Sequence, residues 1–196
     1  MSNFIAIDLE LEQPKTNSQT PDSYIDHEQI LSLGVCVGDA EGNILHLENI
    51  FYRYEFPISK FIKDLTGITE EQVVNGLLPI EAFHRLVAIR EQFDASRVLL
   101  EWGNGDQQAM LRESEIEDRF NPFGRAGLNV KHLYRTWCVA HQMSASGGLK
   151  TSINKFVKNS TDPANKFFKF EGQPHRSDID AKATYQFYIK LMKTMI

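Results

Sequence analysis

Residues 4–11 read FIAIDLEL, an apolar run that takes up acidic residues towards its end. The apolar part is typical of a strand buried on both faces of a sheet, where hydrophobic residues run without a break. Side chains alternate along a strand, so Asp8 and Glu10 would share one face of it. The stretch therefore predicts a core strand, from Phe4 to Leu11, that ends in a pair of carboxylates.

Three further apolar runs predict strands. They span Ile30 to Val37, Ile44 to Tyr54 and Arg97 to Trp102. A polar loop with two prolines, from Pro14 to Asp26, precedes the first of them. The turn-forming residues 39–43 connect the first two runs, which favours an antiparallel meander with the opening strand.

Helical spacing dominates the rest of the chain. Thr69 and Gln72 form a capping-box pattern for a short helix, and Pro79 is well placed to open another. Other helices are predicted over Ser59 to Leu65, Asp106 to Asp118, Lys131 to His141, Gly148 to Lys158 and Ser177 to Met195. This order of strands and helices predicts one α/β domain over residues 1–196, with a mixed sheet flanked by helices.

Composition sets outer limits on function. The formal net charge of −5 is not that of a protein that holds duplex nucleic acid tightly through bulk charge. Cys36 and Cys138 lie far apart in apolar stretches, which favours buried free thiols over a disulfide or a zinc site. The first residues lack a basic segment and no run is apolar enough to span a bilayer, so we expect a cytoplasmic protein without a membrane partner.

Each acid has a plain structural interpretation and a functional one. Asp8 and Glu10 could mark only the point where a strand reaches solvent, or they could bind a hard cation such as Mg²⁺ or Mn²⁺ through oxygen. Asp106 follows Gly103 and Gly105 at the predicted start of a helix, where aspartate is a favourable N-cap. Glycines at such a turn also permit the close approach of a ligand.

Residues 174–192, PHRSDIDAKATYQFYIKLM, predict the start of the last helix. Ser177 and Asp180 resemble a capping box, which places Asp180 in the first helical turn. Asp180 would then complement the helix dipole or bind a metal ion. His175 would be either a plain loop residue or a general base, since histidine transfers protons near neutral pH. Asp178 points away from Asp180, and we expect it at the exposed start of the helix.

Taken together, these motifs resemble those of one enzyme family. Asp-x-Glu ends the first strand, a third aspartate opens a mid-chain helix, and His-x-x-x-x-Asp opens the last one. This order resembles the DEDDh 3′–5′ exonucleases of the RNase T superfamily, which have an RNase H-like fold, and the resemblance covers nearly the whole chain. Residues 56–73 look like the segment before the family's second motif. LLEWGNGDQQAML (99–111) and FEGQPHRSDIDAKAT (170–184) are similar to the branch of the enhanced-RNAi-type exonucleases and their bacterial relatives.

The resemblance implies a metal-dependent nuclease with a central sheet of about five strands. Asp8, Glu10, Asp106 and Asp180 would hold two Mg²⁺ or Mn²⁺ ions roughly 3.5–4 Å apart. Asp8 would contact both ions, Glu10 and Asp180 the ion that activates water, and Asp106 the other ion through water. His175 would accept the proton of the attacking water. The substrate would be single-stranded RNA or DNA with a free 3′ end, and the product a nucleoside 5′-monophosphate.

The residues next to the first motif depart from the family pattern. Leu11 and Glu12 stand where many relatives have threonine or alanine. Leu9 and Leu11 are the predicted contacts to the terminal nucleotide. Trp102 is a third predicted contact. Trp102 and Phe61 could each stack on a base, although burial in the core is the commoner fate and the one we expect for both.

Two other interpretations remain. The fold could serve as a nucleic-acid or protein binding module with little catalysis, or each acid could serve only as a strand end or helix cap. Convergence of the four carboxylates in space would argue against the second alternative. The residues do not distinguish RNA from DNA, because no residue type announces a contact to the 2′-hydroxyl. The family resemblance also allows a homodimer.

Overall fold

The computed structural model describes residues 3–12, 28–124 and 126–195. The strands in these ranges are β1 (Asn3–Glu12), β2 (Gln29–Gly38), β3 (Ile44–Phe51), β4 (Ala95–Glu101) and β5 (Leu128–Asn129). The helices are α1 (Lys60–Thr66), α2 (Glu70–Val74), α3 (Pro79–Gln92), α4 (Asp106–Glu113), α5 (Val130–Ala140), α6 (Leu149–Asn159) and α7 (Ser177–Met195). The loop predicted from Pro14 to Asp26 lies outside the described residues.

The strands form one mixed sheet in the order β3-β2-β1-β4-β5. β1 pairs antiparallel with β2, and β2 with β3, which confirms the predicted meander. β4 is the parallel neighbour of β1 on its other side, and β5 pairs parallel with β4. The predicted α/β architecture, a mixed sheet of about five strands with flanking helices, is therefore confirmed. No apolar run in the sequence indicates β5, because it contains only Leu128 and Asn129.

Helices cover both faces of the sheet because the apolar side chains of β1 alternate between them. Ile5 and Ile7 pack into a buried cluster with residues of α3 and α4. Ala6 packs into a second buried cluster on the opposite face, with residues of α5, α6 and α7. Asp8 and Glu10 continue the second face by the alternation of side chains. β1 thus changes from apolar to acidic on the side that α7 covers.

Two glycines of β2 let α7 lie directly on the sheet. A Cβ at Gly34 would lie 1.9 Å from the carbonyl carbon of Ser177, and one at Gly38 would lie 2.1 Å from the ring of Tyr185. The Tyr185 hydroxyl donates a hydrogen bond to the carbonyl oxygen of Asp39 at 2.7 Å. Only glycine leaves room for this approach, which sets the distance between the first turn of α7 and the sheet.

The third strand is shorter than predicted. It ends at Phe51 rather than Tyr54. The backbone N–H of Arg53 donates to the carbonyl of Leu77, and that of Tyr54 donates to the carbonyl of Val73. The chain therefore leaves the sheet because its backbone groups pair with α2 and with the segment that follows it.

The helix predicted over 106–118 is also shorter, and it ends at Glu113. Glu115 adopts a positive φ of 53°, which takes the chain out of the helical conformation. The Ser114 hydroxyl donates to the carbonyl oxygen of Pro79 at 3.0 Å and ties the end of α4 to the start of α3. No glycine or proline stands at this point to indicate the stop from sequence.

Cys36 and Cys138 are buried free cysteines, as predicted. Burial raises the pKa of the Cys36 thiol to about 12, so this residue is a poor nucleophile and serves the core. Among the described helices, none has both the length and the apolar character needed to cross a membrane.

The substitution Gly34→Ala tests the contact between β2 and α7. We expect it to lower the free energy of unfolding by about 3 kcal/mol, because the added methyl group must displace the backbone of Ser177. Urea denaturation measures the change. Gly124→Ala is the control, since a Cβ there would meet no atom closer than 3.8 Å. Equal unfolding free energies for the two variants would contradict the packing argument.

Candidate metal-binding and catalytic site

The acidic end of β1 faces the start of α7. Asp8 pairs with Gly34 of β2, and Glu10 pairs with Ser32. Because Gly34 contacts the backbone of Ser177, both carboxylates lie beneath the first turn of α7. That turn contains Asp180, so the helix brings a third acid to the same edge.

A glycine-rich turn brings the fourth acid. β4 is the parallel neighbour of β1, so its C-terminal end lies beside the acidic end of β1. The chain then turns through Gly103 and Gly105, with φ values of 119° and 115° that favour glycine. Asp106 is the first residue of α4, directly after this turn. A side chain at either glycine would be strained, which explains the residues that stand before Asp106.

The loop before α7 places His175 against Asp180. The backbone N–H of His175 donates to Oδ2 of Asp180 at 3.2 Å, and His175 has a positive φ of 62°. The predicted capping box between Ser177 and Asp180 is wrong. The Ser177 hydroxyl instead hydrogen-bonds with the Ser32 hydroxyl at 2.9 Å and donates to the Asn49 side chain at 3.0 Å. These bonds attach the start of α7 to β2 and β3, although the helix begins at the predicted residue.

The side chains that the sequence singled out converge. One potential ligand atom each of Glu10, His175 and Asp180 lies within 4.8 Å of the other two. Asp8 interacts electrostatically with Glu10, Asp106 and Asp180. Glu10, His175 and Asp180 thus meet at one edge of the sheet, and Asp8 and Asp106 lie within electrostatic range of this group. This geometry argues against the alternative in which each acid serves only its own strand or helix.

Burial and mutual repulsion make the carboxylates hold protons more strongly than usual. The pKa of Asp8 is raised well above its ordinary value, mainly by burial and, in decreasing order, by the charges of Asp106, Asp180 and Glu10. The pKa of Glu10 is raised to about 8, mainly by burial and then to a smaller extent by the charges of Asp180 and Asp106. Burial and the neighbouring Glu101 raise the pKa of Asp106 to about 7. The pKa of Asp180 is raised as well, mainly by burial. A cation at this edge would reverse these shifts.

The donor set fits a divalent cation with a preference for oxygen. Within the described residues, Oδ1 of Asp180 is buried and has no hydrogen-bond partner. A buried carboxylate oxygen without a partner is costly, and an ion would satisfy it. Carboxylates suit Mg²⁺ and Mn²⁺ better than softer metals. The residues at this edge therefore fit a divalent cation, and the identity of the ion stays a prediction.

Glu101 belongs to the site, although the sequence reasoning did not select it. Its carboxylate is buried at the end of β4 and accepts the backbone N–H of Gln107 at 3.3 Å. Burial raises its pKa, and backbone hydrogen bonds from Gln107, Asp106 and Gly105 lower it. Glu101 thus caps the start of α4 and positions Asp106. The signal was present in the sequence, since a glutamate directly follows the apolar residues of this strand.

The sequence predicts Asp178 at the exposed start of the helix, and this prediction is wrong. Its side chain is buried and accepts two hydrogen bonds from Arg176, at 3.2 Å from Nε and 3.0 Å from Nη2. A paired guanidinium compensates for the burial of the carboxylate. Periodicity placed Asp178 on a different helical face from Asp180 but could not reveal this partner.

The predicted substrate contacts lie in different surroundings. Leu9 and Leu11 are partly buried and pack against the first core cluster, on the face of β1 opposite Asp8. Trp102 is partly buried and lies 5.8 Å from the ring of Phe187, measured between ring centroids. Phe61 is 66% exposed, so the expectation that it lies in the core is wrong. The substrate contacts of Leu9, Leu11 and Trp102 stay predictions.

Glu12, which departs from the family pattern, has a structural use. It is buried, and its Oε2 accepts the backbone N–H of Ser59 at 2.8 Å. Ser59 is the N-cap of α1, and its own side chain accepts the N–H of Ile62. Glu12 therefore joins the end of β1 to the start of α1.

The stability of the metal-free protein should depend on pH through the site. The pKa of Glu10 rises from 4.5 to about 8 on folding, so its contribution to stability is complete below pH 4.5 and is lost as the pH rises through 8. We expect the free energy of unfolding to fall by on the order of 3 kcal/mol between pH 5 and 8.5, as measured by urea denaturation in a chelator. Mg²⁺ should restore stability at the higher pH. Parallel pH profiles for wild type and Glu10→Gln would contradict this origin.

The variant Glu101→Ala tests the cap on α4. Loss of a buried acceptor leaves backbone N–H groups unsatisfied, so we expect the free energy of unfolding to drop by about 2 kcal/mol. Glu101→Gln keeps an oxygen acceptor of the same size and should lose less. Urea denaturation compares the three proteins. A Glu101→Ala protein as stable as Glu101→Gln would rule out the capping role.

Comparison with solved structures identifies the fold. No protein-family model matches the chain, and no curated protein sequence matches it. A 3′-exonuclease with specific 3′-end recognition of the histone mRNA stem-loop is 16% identical, with a TM-score of 0.73 over 98% of this chain and 82% of that one. The nuclease domain of 3′hExo, a DEDDh family member bound to rAMP, is 16% identical, with a TM-score of 0.72 over 98% and 92%.

A third solved structure, cell-death related nuclease 4 (CRN-4), is 12% identical, with a TM-score of 0.73 over 98% of this chain and 64% of that one. Each of these three alignments spans 98% of this chain. The chain therefore shares its overall α/β fold with these three nucleases.

Proposed function

We propose that this protein is a metal-dependent exonuclease that removes nucleotides from the 3′ end of single-stranded RNA or DNA. The observation that carries the proposal is the convergence of Asp8, Glu10, Asp106, Asp180 and His175 at one edge of the sheet. Chemistry at a phosphodiester needs positive charge near the phosphate and a base for the attacking water. This cluster can supply the first by binding cations and the second through His175.

The four carboxylates would hold two Mg²⁺ or Mn²⁺ ions. Bound ions supply charge that stabilises the scissile phosphate and favours deprotonation of water at neutral pH. Asp8 interacts with the other three acids, which suits a ligand shared between two ions. Glu10 and Asp180 lie together on the side of His175. Asp106 approaches from α4, where Glu101 fixes the first turn.

His175 would act as the general base. Its side chain is exposed, and a ring nitrogen lies within 4.8 Å of carboxylate oxygens of Glu10 and Asp180. The hydrogen bond from its backbone to Asp180 keeps the loop against the acids. His175 would remove a proton from water as the water oxygen bonds to phosphorus. The P–O3′ bond breaks, a nucleoside 5′-monophosphate leaves, and the shortened strand keeps a 3′-hydroxyl.

Asp8→Ala should abolish the activity. We expect a rate loss of about a thousandfold, because the variant lacks the carboxylate that would be shared between the two ions and therefore loses cation binding. The assay follows shortening of a 5′-labelled oligonucleotide with Mg²⁺ or Mn²⁺, using single-stranded RNA, single-stranded DNA and duplexes in parallel. Asp64→Ala is the control, since Asp64 is an exposed acid of α1. Equal shortening by Asp8→Ala and wild type would refute the assignment.

His175→Ala should separate proton transfer from metal binding. Loss of a general base costs roughly 10²–10⁴-fold in rate. We expect a loss in that range, with Mn²⁺ affinity by calorimetry changed little, because four carboxylates remain. Abolished metal binding in this variant would make His175 a ligand instead of a base. Unchanged turnover would leave it no catalytic part.

A further inference from the structure

A cavity of about 240 Å³ opens beside the candidate catalytic site. Residues that line it include Lys150, Thr151, Phe170, Pro174, His175 and Asp180. His175 and Asp180 belong to the catalytic cluster, so the cavity is continuous with the place where the scissile phosphate would lie. Lys150 and Thr151 come from the first turn of α6, and Phe170 comes from the segment before α7. None of these last three was part of the sequence prediction.

Lys150 offers a cation without a partner. Within the described part of the chain it makes no hydrogen bond or ion pair, and its side chain is exposed. Two other cations of this region are already paired with carboxylates. Arg176 is bound to Asp178, and Lys182 lies 3.5 Å from Glu171. Among the residues that line this cavity, Lys150 therefore offers a positive charge that is available to an anion.

A second cavity, of about 190 Å³, has Arg176 in its lining and makes an instructive contrast. It is lined by hydroxyl and amide side chains such as Ser32, Asn49 and Gln173. Its cation, Arg176, is neutralised by Asp178 at 3.0 Å. The Lys150 cavity differs because it combines a positive charge that has no ion-pair partner with direct continuity with His175.

The distribution of charge along the chain supports an anionic ligand at this cavity. Residues 131–196 contain eleven Lys and Arg but only four Asp and Glu. The rest of the chain is acidic, since the whole protein has a net charge of −5. The elements around the cavity, α6, residues 165–174 and α7, all belong to the basic part. A local positive field would attract a nucleic-acid backbone towards the acidic site.

We propose, resting on the exonuclease function above, that this cavity binds the nucleotide immediately 5′ to the scissile bond. Lys150 contacts the 5′-phosphate of that nucleotide, and the ring of Phe170 packs on its base. The 3′-terminal nucleoside carries no phosphate other than the scissile one. A lysine next to the catalytic cluster that binds a phosphate other than the scissile one must therefore contact the strand on the 5′ side of the scissile bond. Aromatic rings hold unpaired bases of any sequence, which suits an enzyme that processes successive nucleotides.

The proposal is tested with dinucleotides that differ only in a 5′-phosphate. The unphosphorylated dinucleotide has the scissile phosphate alone, whereas the phosphorylated one also carries the group assigned to Lys150. We expect wild type to have a KM about fivefold lower for the phosphorylated dinucleotide, the size of one partly exposed ion pair. Lys150→Ala should lose this preference, so that its KM values for the two dinucleotides become equal.

Lys158→Ala is the matched control. Lys158 is also exposed and lies on the same helix, eight residues and about 12 Å further along. At moderate ionic strength that distance exceeds the screening length of about 8–10 Å. Lys158→Ala should therefore keep the preference of wild type. Equal KM values of wild type for the two dinucleotides, or equal losses in Lys150→Ala and Lys158→Ala, would overturn the assignment.

Phe170→Leu tests the base contact separately, because leucine keeps the apolar packing but lacks the aromatic face. We expect a higher KM for both dinucleotides. An abasic residue at the 5′ position should abolish the difference between Phe170→Leu and wild type. A difference that persists with the abasic substrate would place the effect of Phe170 elsewhere.

A binding measurement keeps this test independent of catalysis. Calorimetry with Mg²⁺ compares both dinucleotides on Asp8→Asn and on the double variant Asp8→Asn with Lys150→Ala. Preference for the 5′-phosphate on the first protein and its loss on the second support the cavity assignment, even if wild type shows no turnover. Turnover without any such preference would keep the exonuclease function and refute the cavity assignment.

Discussion

The first turn of α7 rests against β2 at Gly34, where a single Cβ would meet the backbone of Ser177 at 1.9 Å. That contact places Asp180 above the acidic end of β1. The Ser177 hydroxyl, bonded to Ser32 and Asn49, holds the turn in register. His175 follows the same constraint, because its backbone is attached to Asp180. A displacement of α7 would separate His175 and Asp180 from Glu10, and these three side chains would no longer form one cluster.

Bringing four carboxylates together opposes stability. Burial and mutual repulsion raise the pKa of Glu10 to about 8 and that of Asp106 to about 7, so the metal-free site retains protons where isolated acids would not. This unfavourable burial and repulsion is offset by the apolar core beneath β1 and by Glu101, which holds the start of α4. A functional site that costs stability is expected where charge must be concentrated for chemistry.

Prediction from sequence succeeded where one period governs a segment. The alternation in β1 assigned Asp8 and Glu10 to one face, and helical spacing located the first residue of α7. It failed where the three-dimensional surroundings of a side chain decide whether it is buried. Asp178 is buried because Arg176 pairs with it, and Phe61 remains 66% exposed although its type favours the core. Glu101 is not predicted as a site residue, because a glutamate at the end of a strand is usually exposed to solvent.

The sequence by itself determined the order of the helices and of all strands except β5, the alternation along β1 and the side chains capable of the chemistry, because these follow from local periodicity and side-chain type. Only the tertiary structure decided that the acids meet, since their convergence depends on β4 running parallel to β1 and on α7 lying against Gly34. It also decided that Lys150 and Phe170 share a cavity with His175. Such contacts join residues far apart in the chain, and no local pattern encodes them.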